Sequence, residues 1–174
     1  MSLEVAAAIL GLALGLPMVL LYNRLVAYRN QARRGLADVE AQLGRRADLV
    51  PRLVEAVRGY AAHEKGVLTS VTELRSASLD TPKVLERFGH EIDLGCELRR
   101  LVLLQEAYPP LKTDATFRDL SARLAEIESQ LEFARRFYNG AATQYVKRLE
   151  SFPDVLVAQL FRFKPMPFFE SEAS

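Results

Sequence analysis

The stretch FRDLSARLAEIESQLEFARRFYNGAATQY (117–145) decides the fold. Within it Phe117, Leu120, Leu124, Ile127, Leu131, Ala134, Tyr138, Ala141 and Tyr145 step by three and four residues in alternation. That spacing is a heptad seam over nearly four repeats, the pattern of helices packed knobs into holes. Asp114 stands just ahead of it, where a side-chain oxygen caps a helix. From Asp114 to Ser151 the helix would run about 57 Å, at about 1.5 Å per residue. A seam of that length needs partner helices along it, so the rest of the chain is read for them.

Three further helical stretches supply candidates. Tyr22 to about Arg46 carries Leu25, Tyr28, Ala32, Leu36, Val39 and Leu43 on one face. A second stretch starts near Asp48, with Pro51 in its first turn, and shows Leu49, Leu53, Ala56, Tyr60, Val67, Val71 and Leu74. It stops before the loop signal Ser78-Leu79-Asp80-Thr81-Pro82. The third runs from about Lys83 to Ala107, with Leu85, Phe88, Ile92, Leu98 and Val102, and Pro109-Pro110 breaks it. Cys96, the single cysteine, falls in this apolar stretch and is expected as a small core residue.

Ahead of all four lies VAAAILGLALGLPMVLLY (5–22), an apolar run with no charge inside it. Its length suits the hydrocarbon core of a bilayer. No basic segment precedes it and no small-residue cleavage site follows, so it reads as a retained anchor rather than a signal peptide. The expected fold class is therefore all-α. An N-terminal transmembrane helix continues into an antiparallel up-down four-helix bundle, followed by a short helical, aromatic C-terminal segment. The corresponding divisions are 1–22, 23–151 and 152–174.

The net charge is +1, so there is no global nucleic-acid footprint. The basic charge is local: Arg24, Arg29, Arg33, Arg34, Arg45, Arg46, Arg52 and Arg58 follow the apolar run. By the positive-inside rule the N-terminus lies outside and the bulk of the chain in the cytoplasm. With four alternating helices, the segment 152–169 returns toward the bilayer. Its aromatics and two cations suit a membrane interface, or they close the open end of the bundle.

At this point several motifs can be taken together. YNRLVAYRN (22–30), VEAQLGRRADLVPRLVEAVRGYAAHE (39–64), EAYPPLK (106–112), Tyr138-Asn139 and FPDVLVAQLFRFKPMPFFE (152–170) resemble the LemA family. The resemblance implies a bacterial inner-membrane protein with one N-terminal span and a four-helix domain, without an established enzymatic activity. It also implies relatives at specialised intracellular membranes such as magnetosomes. The chain departs from the family pattern at Leu36, where Trp is frequent, at Glu40, where Asp is usual, and at Arg162, where Gly is common.

No catalytic constellation, P-loop or nucleotide fingerprint is present, and no cofactor is expected. His63-Glu64 and His90-Glu91 do not continue as HExxH, and no cysteine cluster accompanies them, so no metal site is expected. His63 falls between Tyr60 and Val67, where it either hydrogen-bonds inside the bundle or acts as a pH-sensitive latch. Arg45, Arg46 and Asp48 are expected at the first interhelical turn, as solvated capping residues or as a patch for an acidic partner. Tyr22 belongs at headgroup depth, and Arg24, Arg29, Arg33 and Arg34 at the membrane surface. Ala7, Gly11 and Gly15 form a small-xxx-small face on which two spans can pack, or an incidental repeat of small residues.

The expected partners are the lipid bilayer, further copies of the chain, and a membrane or cytoplasmic protein of unknown identity. Two functional readings follow. One is a non-enzymatic scaffold or oligomerising interaction protein at the inner-membrane surface. The other is a ligand-sensing membrane helical bundle.

Overall fold

The structure is a computed structural model that describes residues 3–169, with side chains from Ala13 onward except Leu14. Among the described residues every regular element is helical. In order these are α1 (Leu3–Arg58), α2 (Lys65–Asp80), α3 (Phe88–Leu103), α4 (Pro109–Thr113), α5 (Ala115–Glu150) and α6 (Asp154–Leu160). A single 3-10 turn, Leu104–Glu106, follows α3. The chain divides into two compact units, Met1–Ala37 with Arg135–Ser174, and Asp38–Ala134. Both boundaries fall inside long helices, α1 and α5.

The heptad seam forms α5 as its spacing requires. Phe117, Leu120, Leu124, Leu131, Ala134, Tyr138, Ala141 and Tyr145 are all buried. Asp114 caps the helix: its Oδ1 accepts the Phe117 N–H at 2.7 Å. The expected turn at Arg46–Asp48 is absent, and α1 runs through it to Arg58. The break comes later, at Gly59–Glu64, and it divides the expected second helix.

Pro51 therefore lies in a helix interior, where it lacks an N–H and leaves the carbonyl of Ala47 without its helical partner. The side chain of Arg75 on α2 supplies one. Its Nε–H donates to the Ala47 carbonyl at 2.7 Å. A local signal for a helix start is thus overridden by a tertiary hydrogen bond. A second departure follows Tyr108, where a loop is expected. Pro109 instead opens α4, because a first-turn proline loses no helical hydrogen bond.

In the unit Asp38–Ala134, one apolar cluster joins five segments. Leu49, Val50, Leu53, Val54 and Val57 of α1 meet Val67 and Val71 of α2, and Leu94, Leu98 and Leu101 of α3. Leu111 of α4 and Phe117, Leu120 and Leu124 of α5 complete it. Cys96 is exposed, not a core residue, because it sits between the inward positions Leu94 and Leu98.

In the other unit, Leu25 of α1, Tyr145 and Leu149 of α5, and Val157 and Ala158 of α6 form a second cluster. Here α1 and α5 approach closely at Gly35. A Cβ built there would lie 3.0 Å from Phe137 Cδ1 and 3.1 Å from Tyr138 Cα, so the approach depends on glycine.

Among the described residues no helix is long and apolar enough to cross a membrane. Of the expected span, the side chains of residues 5–12 and 14 lie outside the described set. The expectations for Ala7 and Gly11 fall there. Gly15 is described, and a Cβ added to it would meet nothing within 4 Å.

Candidate functional site

Three polar constellations stand out, and the family-like motifs supply most of their residues. The first is buried in the unit Asp38–Ala134. Arg46, 1 % exposed, projects from α1 and donates through Nη1 to Glu128 Oε1 at 2.9 Å. Its Nη2 donates to the Glu91 carbonyl at 2.7 Å and to the Glu91 carboxylate. The Ser78 hydroxyl donates to the other Glu91 oxygen, and Arg87 Nε lies 3.6 Å from it. Glycine at position 95 makes room, since a Cβ there would come within 3.2 Å of Arg46 Nη1.

Arg46 is therefore neither a turn cap nor part of an exposed patch. It is an ion-paired core residue, and removing one partner of such a pair costs about 3–5 kcal/mol. Arg45 and Asp48 are exposed within α1. His63 is also exposed, in the turn after α1, rather than on the apolar seam.

The second constellation ties loops in the same unit. The Tyr60 hydroxyl donates to Asp114 Oδ2 at 3.0 Å, and the Tyr108 hydroxyl donates to Glu64 Oε1 at 3.1 Å. Both phenols are pushed above their ordinary value, first by these hydrogen bonds to carboxylates. Asp114 moves below the ordinary carboxylate value, chiefly because it accepts the Phe117 N–H and secondly because it accepts the Tyr60 hydroxyl. Asp114 thus caps α5 and holds the turn after α1 at once.

The third constellation surrounds the C-terminal segment. The Tyr138 hydroxyl, raised by burial, donates to the Pro167 carbonyl at 2.5 Å. The Tyr145 hydroxyl donates to the Lys164 carbonyl at 3.1 Å. Asn139 holds Phe169 twice. Its Nδ2–H donates to the Phe169 carbonyl at 2.9 Å, and its Oδ1 accepts the Phe169 N–H at 3.0 Å. The FKPMPFF segment has no regular structure of its own and is held to α5 by Tyr138 and its neighbour Asn139, and by Tyr145 two turns further on. Tyr138 is in the core with a partnered hydroxyl, as its seam position requires.

The N-terminal part of α1 takes the same segment from the other side. Arg24 Nη2 lies 2.6 Å from both carboxylate oxygens of buried Asp154, and Arg148 Nη1 lies 3.7 Å away. Tyr22 makes edge contacts with Phe161 and Phe163, with ring centroids 4.8 Å and 5.6 Å apart. The Arg29 guanidinium lies 5.1 Å from the centre of the Phe163 ring. Arg33 and Arg34 are exposed. Of the residues expected at the membrane surface, Tyr22, Arg24 and Arg29 therefore converge on the C-terminal segment.

The sequence names Glu91 beside His90, Ser78 in a loop signal, and Asn139 and Asp154 within family-like motifs, but assigns none of them these contacts; Arg75 is not singled out. The second Tyr-Asn pair and the FPDVL motif are the signals that mark Asn139 and Asp154. Among the described residues no group of three or more His, Cys, Asp or Glu is placed to hold a metal ion. The described grooves are open rather than enclosed. One of about 590 Å³ is lined by Arg52, Glu55, Asp119 and Arg123 in the unit Asp38–Ala134.

The described residues define an all-helical protein with a buried Arg–Glu tie and a strapped FKPMPFF segment. The LemA family model matches residues 35–174, and the chain belongs to the LemA family. Magnetosome protein MamQ 2 of Paramagnetospirillum magneticum is 22 % identical over 181 residues, covering 89 % of this chain and 66 % of that protein. Magnetosome protein MamQ of Magnetospirillum gryphiswaldense is 21 % identical, covering 98 % and 73 %. Protein LemA of Metamycoplasma hominis is 25 % identical, covering 79 % of this chain and 63 % of its own length. The chain thus spans about two thirds of the length of the curated relatives it matches.

Proposed function

We propose that this LemA-family chain is a membrane-anchored helical scaffold that associates with further copies at the inner-membrane surface. One observation carries the reading. The uncharged run 5–22 and the amphipathic residues after it belong to a single helix, α1, of 56 residues. An anchor and the strut that follows it in one continuous helix place the chain at the bilayer surface. Support comes from Leu16, Val19 and Leu20, which are 55–61 % exposed on α1, as lipid-facing residues would be.

The role is non-enzymatic, and the helices after the apolar run serve as the spacer. The N-terminus lies outside and the bundle in the cytoplasm, following the arginines after the run. The magnetosome relatives, whose name ties them to an organelle, are in keeping with service at a membrane. The test is extraction of membranes from expressing cells, first with alkaline carbonate and then with detergent, followed by native mass measurement in nanodiscs. Retention after carbonate and a multiple of the chain mass are expected. Release by carbonate would overturn the anchor, and a clean monomer would overturn the scaffold.

A further inference from the structure

The structure leaves an apolar edge on the C-terminal segment that its own fold does not cover. Phe152 is 81 % exposed, Leu156 59 %, Leu160 63 % and Phe161 49 %. Leu156 and Leu160 are four residues apart on α6 and so share a face. The opposite face of α6 is already used. Val157 and Ala158 pack against Leu25, Tyr145 and Leu149, and Asp154 receives Arg24. An outward apolar set on a helix that is already docked calls for a second apolar surface.

Its position says which surface. Tyr22, the last residue of the apolar run, touches Phe161 and Phe163 by ring edges. On α1, Leu16, Val19 and Leu20 are exposed within two turns of Tyr22. The charges beside the edge are complementary to anionic headgroups: Arg162 and Lys164 are both exposed, while Asp154 is turned inward to Arg24. A second copy placed on this edge by two-fold symmetry would bring the same cations together, which opposes that occupant.

We propose that Phe152, Leu156, Leu160 and Phe161 dock into the headgroup and upper acyl region of an anionic bilayer beside α1, so that the chain meets lipid at two points. The inference rests on the anchored reading of α1. In it, the Arg24–Asp154 pair and the Tyr22 contacts act as a brace that fixes α6 at the depth where the run ends. A single helix is free to tilt and rotate in a membrane, whereas a helix with a second docked element is not.

The chain contains no tryptophan, so one introduced indole reports its own surroundings. The full chain is reconstituted in phosphatidylglycerol–phosphatidylcholine vesicles, with and without lipid brominated near the headgroup end of the acyl chains. Separate variants carry Leu160→Trp, Phe152→Trp, Leu16→Trp or Phe137→Trp. Loss of emission to bromine and a blue shift are expected at positions 160, 152 and 16. No loss is expected at Phe137, which is about 20 Å back along α5 from Glu150.

Quenching at 16 without quenching at 160 and 152 would overturn the docked edge and leave the anchor standing. Absence of quenching at all positions would overturn both. A blue shift at 160 that grows with protein concentration, without bromine quenching, would assign the edge to a second copy and overturn the lipid assignment. Phe152 is the most exposed of the set, so its variant keeps the test valid if Leu160→Trp does not fold.

Discussion

At the scale of single residues, Arg162 shows how a family-pattern departure acquires a physical meaning. Its φ is 53°, a left-handed conformation in a residue with a Cβ. It follows α6 in a Schellman closure: the Phe163 N–H donates to Ala158 at 2.9 Å and the Arg162 N–H to Gln159 at 3.2 Å. Glycine adopts that conformation without the Cβ penalty, which is about 1–2 kcal/mol. Arg162→Gly should therefore stabilise the fold by about 1 kcal/mol and raise the melting temperature by roughly 2–4 °C. An unchanged or lower temperature in a thermal melt in detergent would refute this.

Asp114 gives the second residue-scale expectation. Its folded carboxyl lies below the ordinary value, because its ionised form accepts the Phe117 N–H and the Tyr60 hydroxyl. A depressed folded value contributes stability that is complete above the unfolded value, near pH 4, and is lost as pH falls through the folded one. Asp114→Ala should be less stable than the parent at pH 7, and the difference should narrow below about pH 4. Urea unfolding at both pH values measures it. A difference that does not change with pH would show that the charge of Asp114 contributes nothing.

At the scale of elements, the continuity of α1 depends on the pairing of Pro51 with Arg75. Removing the Arg75 side chain leaves the Ala47 carbonyl without a partner, since Pro51 has no N–H to offer. Arg75→Met should cost about 1–3 kcal/mol. Pro51→Ala restores an N–H four residues after Ala47, so the same Arg75→Met change should cost much less in that background. Denaturant unfolding of the four species closes the cycle. Equal losses in the two backgrounds would show that Arg75 acts only through packing. The strapping of the tail is a second element-scale device: residues 164, 167 and 169 have no regular structure of their own and take their path from Tyr145, Tyr138 and Asn139.

At the scale of the whole molecule, the proposed scaffold requires contacts between copies. Gly15 has open space where a Cβ would stand. If the Ala7-Gly11-Gly15 face joins two spans, Gly11→Ile with Gly15→Ile should abolish crosslinked dimers in membranes while leaving carbonate-resistant association intact. Dimers that persist would assign the self-association to another surface. The Arg46–Glu91–Ser78 tie bears on the same scale. It links α1, α2 and α3 through polar groups with directional geometry, which suits a spacer that must keep one arrangement of its helices.

The sequence by itself determined the all-helical class, the extent and inward face of α5, its Asp114 cap, and the apolar run fused to the helix that follows. Those properties are local, because hydrophobic period and capping act within a few residues of one another. The Tyr138 hydroxyl partner was legible as a need, though not as Pro167. Tertiary structure alone decided that α1 continues past Arg46, that Arg46 lies in the core, that Cys96 and His63 face outward, and that the FKPMPFF segment is strapped to α5. The course of α1, the burial of Arg46 and the strapping of the segment depend on hydrogen bonds or packed faces contributed by residues far away in sequence. Pro51 and Asp48 carry the local chemistry of a helix start. The Ala47 carbonyl and its distant partner Arg75 supply what lets the helix run on.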